Sequence, residues 1–317
     1  MEFGRRTAEL GGVLASTCRG TALVGVAEGT MRSLQGRVVA ITGAGSGIGR
    51  GLAQVCAARG GRLALADRDA EGLQATADAL GGVAGGAPIA TTLLDVADRD
   101  ALYAWADATA KRFGEVHVII NNAGVALGST VEGASEGDLH WIMDINLFGV
   151  IHGTRAFLPH LRAAGFGHIV NISSIFGIIP VPTQSYYCAS KAAVRAFTEV
   201  LRQELELEGS PVSATVVHPG GVRTEIARRS RLSEVGMQAV MGRDGEAGQT
   251  EFDRYLRLDP RAAAEQIVRA IERDQRRVLV GADAKALSAL HRLSPVGLHG
   301  AVVGVVRRQR RKLAAKG

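Results

Sequence analysis

The chain has 317 residues, 46% of them hydrophobic and 21% charged, the balance of a globular protein long enough to bury a large core. Disorder and disulfide-stapled mini-folds are not expected, and the 41 glycines follow no collagen period. The formal charge of +6 sits at one end: Arg307, Arg308, Arg310, Arg311, Lys312 and Lys316 fall in the last 11 residues without an acid, and removing them leaves 31 basic against 31 acidic residues, so with only 4% aromatics a nucleic-acid surface is not expected.

Residues 1–35 carry short apolar stretches broken by Glu9, Arg19 and Glu28. They read as an N-terminal extension, not as a secretory signal, which needs an unbroken apolar run. The longest uncharged stretch, Ala163–Ser190, holds Asn171, Pro180, Pro182 and two tyrosines, too polar for a membrane span. Three widely spaced cysteines, Cys18, Cys56 and Cys188, form no CxxC pair and suit idle thiols in a reducing, cytoplasmic compartment. No cluster of His, Cys or carboxylate has metal-ligand spacing, so no metal site is expected.

From residue 36, β-branched runs alternate with Ala-rich helical segments. Strands are predicted over Val38–Thr42, Arg62–Ala66, Ile89–Leu93, Val116–Asn121, His168–Ile172, Val212–His218 and Arg277–Val280. Helices are predicted over Ile48–Ala58, Ala70–Leu80, Arg99–Phe113, Glu136–Ala164, Ser185–Glu208 and Arg261–Arg273. This rhythm implies βαβ units: one doubly wound α/β domain over residues 36–281, a seven-stranded parallel sheet with helices on both faces. Within it, Thr224–Asp259 is charged and Gly-containing, as expected of a lid beside a site. Residues 282–317 form a tail in which Leu290 and Leu293, then Val302, Val303, Val305 and Val306, precede the basic cluster. Pro295 and three glycines interrupt that apolar part. It is too short to span a bilayer, and its two expected uses are packing on the body or docking to an anionic membrane surface.

The first strand leads into Thr42-Gly43-Ala44-Gly45-Ser46-Gly47-Ile48-Gly49. A Gly-rich strand-to-helix turn lets backbone N–H groups approach a pyrophosphate at a helix N-terminus. The spacing is TGxxxGxG and not GxGxxG, since Ile48 stands where the latter needs glycine. Asp67 ends the second strand, where an acid accepts from the adenosine ribose and repels a 2′-phosphate, favouring NAD over NADP. Arg68 beside it could pair with such a phosphate and argues the other way.

Tyr187-Cys188-Ala189-Ser190-Lys191 places a phenol and an ammonium at i and i+4 on one helix face. A lysine cation about 4 Å away favours phenolate by about 4 kcal/mol at an effective dielectric near 20. That would draw Tyr187 down toward the range where general acid–base catalysis works.

Together these motifs resemble the short-chain dehydrogenase/reductase family. The resemblance rests on Thr42–Gly49, Asp95-Val96, Asn121-Asn122-Ala123-Gly124, Asn146, Ser174, Tyr187 with Lys191, and Pro219-Gly220-Gly221-Val222-Arg223-Thr224, in that order over residues 36–281. It implies an NAD(P)-dependent oxidoreductase interconverting an alcohol and a carbonyl compound. Tyr187 is implied as acid/base, Ser174 as hydrogen-bond donor to the substrate oxygen, Lys191 as holder of the nicotinamide ribose, and Asn146 as anchor of a water linking Lys191 to solvent. Ser174 is chosen over Ser173 because the family's second serine precedes the tyrosine by 13 residues. The cofactor set implied is Gly43, Gly45, Ser46, Gly47, Ile48, Gly49, Asp67, Arg68, Asp95, Val96, Asn122, Ala123, Gly124, Tyr187, Lys191, Pro219, Gly220, Val222 and Thr224. Ser46, where NADP-preferring relatives often carry a basic residue, again favours NAD. Ile175, Phe176, Ile178 and Ile179 suggest an apolar wall and a hydrophobic secondary alcohol or ketone as substrate. The family also implies a homo-oligomer, a dimer or tetramer. A non-catalytic dinucleotide sensor on the same fold is the alternative.

Overall fold

Seven β-branched runs pair into a single parallel sheet. In this computed structural model, residues 33–81, 88–226, 228–233, 235, 240–242 and 256–314 are described, 312–314 by their backbone alone. In chain order the elements are β1 (Val38–Thr42), α1 (Gly47–Ala58), β2 (Arg62–Asp67), α2 (Ala70–Gly81), β3 (Ile89–Leu93), α3 (Arg99–Phe113) and β4 (Val118–Asn121). Then come β5 (Leu127–Gly128), α4 (Glu136–Met143), a π-helical turn (Asp144–Phe148), α5 (Gly149–Ala163), β6 (Gly167–Ile172) and a 3-10 turn (Ile175–Gly177). The remainder is α6 (Ser185–Leu207), β7 (Val212–Pro219), β8 (Arg231–Leu232), α7 (Pro260–Glu272), β9 (Arg277–Val280), α8 (Ala282–Leu293) and α9 (Pro295–Ala314).

The sheet order is β3-β2-β1-β4-β6-β7-β9, every pairing parallel. This is the expected doubly wound, Rossmann-like fold. The strand order reverses between β1 and β4, and open α/β sheets bind ligands beyond the strand ends at that switch point. Both faces are covered. Val39 and Ile41 of β1 pack with Leu52 and Val55 of α1 and Ile267 and Ile271 of α7. Their neighbours Val38 and Ala40 face the other way, toward Trp105 of α3, Phe157 of α5 and Leu205 of α6. That is why the strands carry no apolar–polar alternation.

Three local features depart from the sequence reading. The helix expected over Glu136–Ala164 is broken: the N–H of Gly149 reaches back five residues to the Asp144 carbonyl, a π-turn that carries Asn146. Strands β5 and β8 form a second, two-stranded parallel sheet. The tail is no broken apolar run but the helical pair α8 and α9, in one compact unit with the sheet. Pro295 opens α9 without breaking it, because an amide in the first turn of a helix has no intrahelical acceptor. Among the described residues no helix is long and apolar enough to cross a membrane, and no group of three or more His, Cys, Asp or Glu could hold a metal ion. Cys56 and Cys188 are buried free thiols. Residues 1–32, which include Cys18, and most of the expected lid between 234 and 255 lie outside the described residues.

Candidate active site

The C-terminal ends of β1, β2, β4, β6 and β7 open onto one trench of about 610 Å³. Its floor begins at the glycine turn. Gly43 has φ +66°, a backbone conformation that side chains disfavour, and a Cβ on Gly49 would run into the Gly43 carbonyl. Ser46 caps α1 in extended conformation with no side-chain cap hydrogen bond, so the helix N-terminus opens into the trench.

Asp67, at the end of β2, lines the same trench, and two backbone amides orient its carboxylate. Gly45 N–H donates to Oδ2 at 2.8 Å and Asp69 N–H to Oδ1 at 2.9 Å. Asn122 ties β4 to the glycine turn. Its side-chain amide donates to the Thr42 and Gly43 carbonyls at 2.9 and 3.1 Å, while its own N–H donates to Thr42 Oγ1 at 3.0 Å.

Deeper in, Tyr187, Lys191 and Ser174 converge. The Ser174 hydroxyl acts on the Tyr187 phenol, favouring its charged form, and the tyrosine ring meets Phe176 edge-on at 6.4 Å. Ser174 Oγ also accepts from Phe176 N–H at 3.1 Å. The hydroxyl of Ser173 points elsewhere, donating to the Lys191 carbonyl at 2.7 Å. Lys191 is 3% exposed; its ammonium donates to the Ile172 carbonyl at 3.0 Å and lies 5.9 Å from the Tyr187 ring centroid. A Cβ on Gly124 would come within 3.2 Å of both Lys191 Nζ and Asn146 Oδ1, so bulk there would press on both groups. Asn146 itself is locked to the backbone of Val125: Oδ1 accepts from its N–H at 2.8 Å, and Nδ2 donates to its carbonyl at 2.9 Å and to Ser190 Oγ at 3.2 Å.

The electrostatics correct one expectation. Tyr187 is not drawn down: burial around the hydroxyl pushes the phenol up to about 12, with the Ser174 hydroxyl pulling the other way and Cys188 adding to the rise. Burial also lowers Lys191 itself to about 8. The i, i+4 spacing sets the ammonium 5.9 Å from the ring centroid, and removal from water sets the direction of both shifts.

Of the residues named from sequence, Gly43, Ser46, Gly47, Ile48, Asp67, Arg68, Asp95, Val96, Asn122, Ala123 and Gly124 line the trench, with Ser174, Tyr187, Lys191, Pro219, Gly220, Val222 and Thr224. Gly45, Gly49 and Asn146 stand behind it and hold its walls. Tyr186 is turned away, donating to the Val131 carbonyl at 3.0 Å. Among the wall residues that sequence reasoning did not name as such are Asp283, Val302 and Val306 of the tail. For the valines a signal existed, since Leu298, Val302 and Val306 recur every four residues. It also missed His218, whose Nδ1 lies on the Ser174 carbonyl; one buried histidine before a proline carries no signal.

A family model for short chain dehydrogenases matches residues 37–234. A Mycobacterium tuberculosis protein named as an oxidoreductase, SadH, is 46% identical over 267 residues, which are 83% of this chain and 92% of that protein. A short chain dehydrogenase/reductase from Burkholderia phymatum, solved in complex with NAD, superposes with a TM-score of 0.74 at 33% identity, covering 82% of this chain and 94% of that one. An alcohol dehydrogenase from Thermococcus sibiricus, solved with 5-hydroxy-NADP, superposes with a TM-score of 0.64 at 26% identity, covering 78% and 96%.

Proposed function

The chain belongs to the short-chain dehydrogenase/reductase family of oxidoreductases, and on that premise we propose that it interconverts a hydrophobic secondary alcohol and its ketone at Tyr187. The observation that carries this reading is the convergence of Ser174, Tyr187 and the buried ammonium of Lys191 on one trench that also holds a glycine turn. A nicotinamide dinucleotide fits that trench: the Gly43–Gly49 turn admits close backbone approach, the start of α1 opens into it, and Asp67 is presented at its far end. When bound, the nicotinamide gives or takes the hydride.

The residues of this chain handle the oxygen. Tyr187, raised to about 12, holds its proton at neutral pH and can deliver it to an oxygen gaining negative charge. Ser174, extended and fixed at the end of β6, offers a second hydrogen bond to that oxygen and steadies the charge. Lys191, held on the Ile172 carbonyl next to Asn146 and Gly124, keeps a positive charge under the ring while protonated and favours the phenolate left after transfer. In oxidation the steps reverse.

Asp67 supports NAD as the preferred form, with Arg68 as the residue available to a 2′-phosphate. The test of the reaction is an initial-rate survey of NADH and NADPH oxidation with apolar ketones, and of the reverse reaction with the matching alcohols. Turnover of no member with either cofactor overturns the reading.

Two further readings have specific support. Val200 and Leu207 on α6 are exposed, apolar surface of the kind that copies bury on pairing; a monomer by light scattering would refute this. The α8–α9 turn exposes Leu290, Leu293 and Val296, and α9 ends in Arg307, Arg308, Arg310 and Arg311, which supports peripheral contact with an anionic membrane.

A further inference from the structure

Helix α9 shows its two sides clearly. Leu298, Val302, Val306 and Gln309, four or three residues apart, are half-buried, while Gly300, Val303, Gly304, Val305, Arg307 and Arg308 are exposed. The inner side lies over the active site. Val302 and Val306 line the trench that also holds Ser174, Tyr187, Ile175 and Phe176. Leu298 and Leu287 pack on Ile175 and Ile179, the residues that follow the serine.

The hairpin is also fixed at its start. Asp283, in the first turn of α8, accepts from Gly221 N–H at 2.6 Å, and a Cβ on Gly220 would strike its carboxylate. Gly220 and Gly221 belong to the loop after β7 that forms the trench wall next to Val222 and Thr224. The start of the hairpin is thus attached to that loop, and its middle, Leu287 and Leu298, rests on the segment after Ser174.

We propose that α8 and α9 are a built-in cap on the substrate side of the trench, with Val302 and Val306 setting the size and apolar character of the substrate. The proposal rests on the alcohol–ketone reading for its substrate class. The cap offers aliphatic surface and no charged group from its Val302–Val306 side, so it favours a long or bulky apolar body next to the reacting carbon over a small polar one. One methylene in such a pocket changes kcat/KM by about tenfold or more.

The test is made on the full chain. With methyl ketones of increasing alkyl length and reduced cofactor, Val302→Phe and Val306→Phe are expected to lose about tenfold or more in kcat/KM on the longest ketones and far less on the shortest. Val302→Ala is expected to move the optimum to a longer ketone. An unchanged length profile in all three variants overturns the proposal. A second measurement needs no turnover: single cysteines replacing Val302 or Val306 are expected to react with a maleimide several-fold more slowly than cysteines replacing Val303 or Val305. Equal rates overturn the cap. A wild type that reduces no ketone while the labelling contrast holds overturns the substrate reading and leaves the cap.

Discussion

His218 Nδ1 lies 3.0 Å from the Ser174 carbonyl oxygen, in the same buried layer that holds the serine. Its Nε2 is buried without a hydrogen-bond partner. A neutral imidazole protonated on Nδ1 satisfies this geometry by donating to the carbonyl, whereas a cation would bury a charge beside an empty face. Burial accordingly lowers the imidazole to about 4. If Ser174 acts as proposed, His218 is a positioning residue, since it touches the serine's carbonyl and does not line the trench.

That shift has a consequence for stability. The folded pKa lies below the unfolded value of 6.5, so between pH 6.5 and 4 the unfolded chain binds the proton that the folded chain refuses. The stabilisation is complete above pH 6.5 and lost as pH falls toward 4, about 3 kcal/mol in all. Buried His168, also lowered to about 4, adds a drop of the same sign. Urea melts from neutral to acid pH are expected to show stability falling over this window, with a shallower fall in His218→Asn. An identical slope in that variant would mean that His218 does not carry the linkage.

Tyr187→Phe removes one oxygen and no packing volume. It is expected to lower kcat by about a hundredfold or more. Stabilisation of the protein by added NADH in thermal melts is expected to persist, since the glycine turn and Asp67 are untouched. Retention of a substantial fraction of wild-type kcat would remove Tyr187 as the acid/base.

The seven strands of the parallel sheet and many residues of the trench were legible because they depend on local signals. β-branched runs mark strands, Thr42–Gly49 marks the turn after the first, and Tyr187 with Lys191 needs only helical spacing. What the sequence hid depends on contacts distant along the chain or on a slight change of hydrogen bonding. The π-turn at Asp144–Phe148 contains neither Pro nor Gly and shifts the bonding by one residue, so the helical pattern runs through it unmarked. Strands β5 and β8 are two residues each, too short to show a period, and roughly a hundred residues apart. The spacing of Tyr187 and Lys191 is written in the sequence; the burial that raises one and lowers the other is not. Pro295 and the glycines of α9 read as breaks, yet the proline falls where a helix accepts it and the glycines fall largely on the outer side.

Asp67→Ser removes the carboxylate that Gly45 and Asp69 hold at the end of β2. With the repelling charge gone and Arg68 in the same wall, the ratio of kcat/KM for NADPH over NADH is expected to rise by about tenfold or more, a change of about 1.4 kcal/mol or more. A wild type that already prefers NADPH would contradict the role given to this residue.

The last prediction concerns the outer side of the hairpin. No acid follows Asp283, and the stretch 284–317 carries eight basic residues. Arg307, Arg308, Arg310 and Arg311 are exposed or nearly so at the end of α9, while Leu293 and Val296 at the turn are 84% and 82% exposed. Leu298, Val302 and Val306 are already engaged on the body, so the apolar surface left for a bilayer is this turn and its neighbour Leu290. Burial of so few side chains gives weak binding alone; each cation near an anionic surface adds about 1 kcal/mol, and salt screens that part within a Debye length of about 10 Å at 0.1 M. Co-sedimentation with vesicles containing phosphatidylserine is therefore expected at low salt, to fall at high salt, and to be absent with neutral vesicles. Reversing Arg307, Arg308 and Arg311 to Glu is expected to abolish it, and Leu293→Glu with Val296→Glu to weaken it, both leaving the Val302–Val306 face in place. Binding that ignores salt, or survives the charge reversal, would refute the electrostatic docking and leave the hairpin as a cap alone.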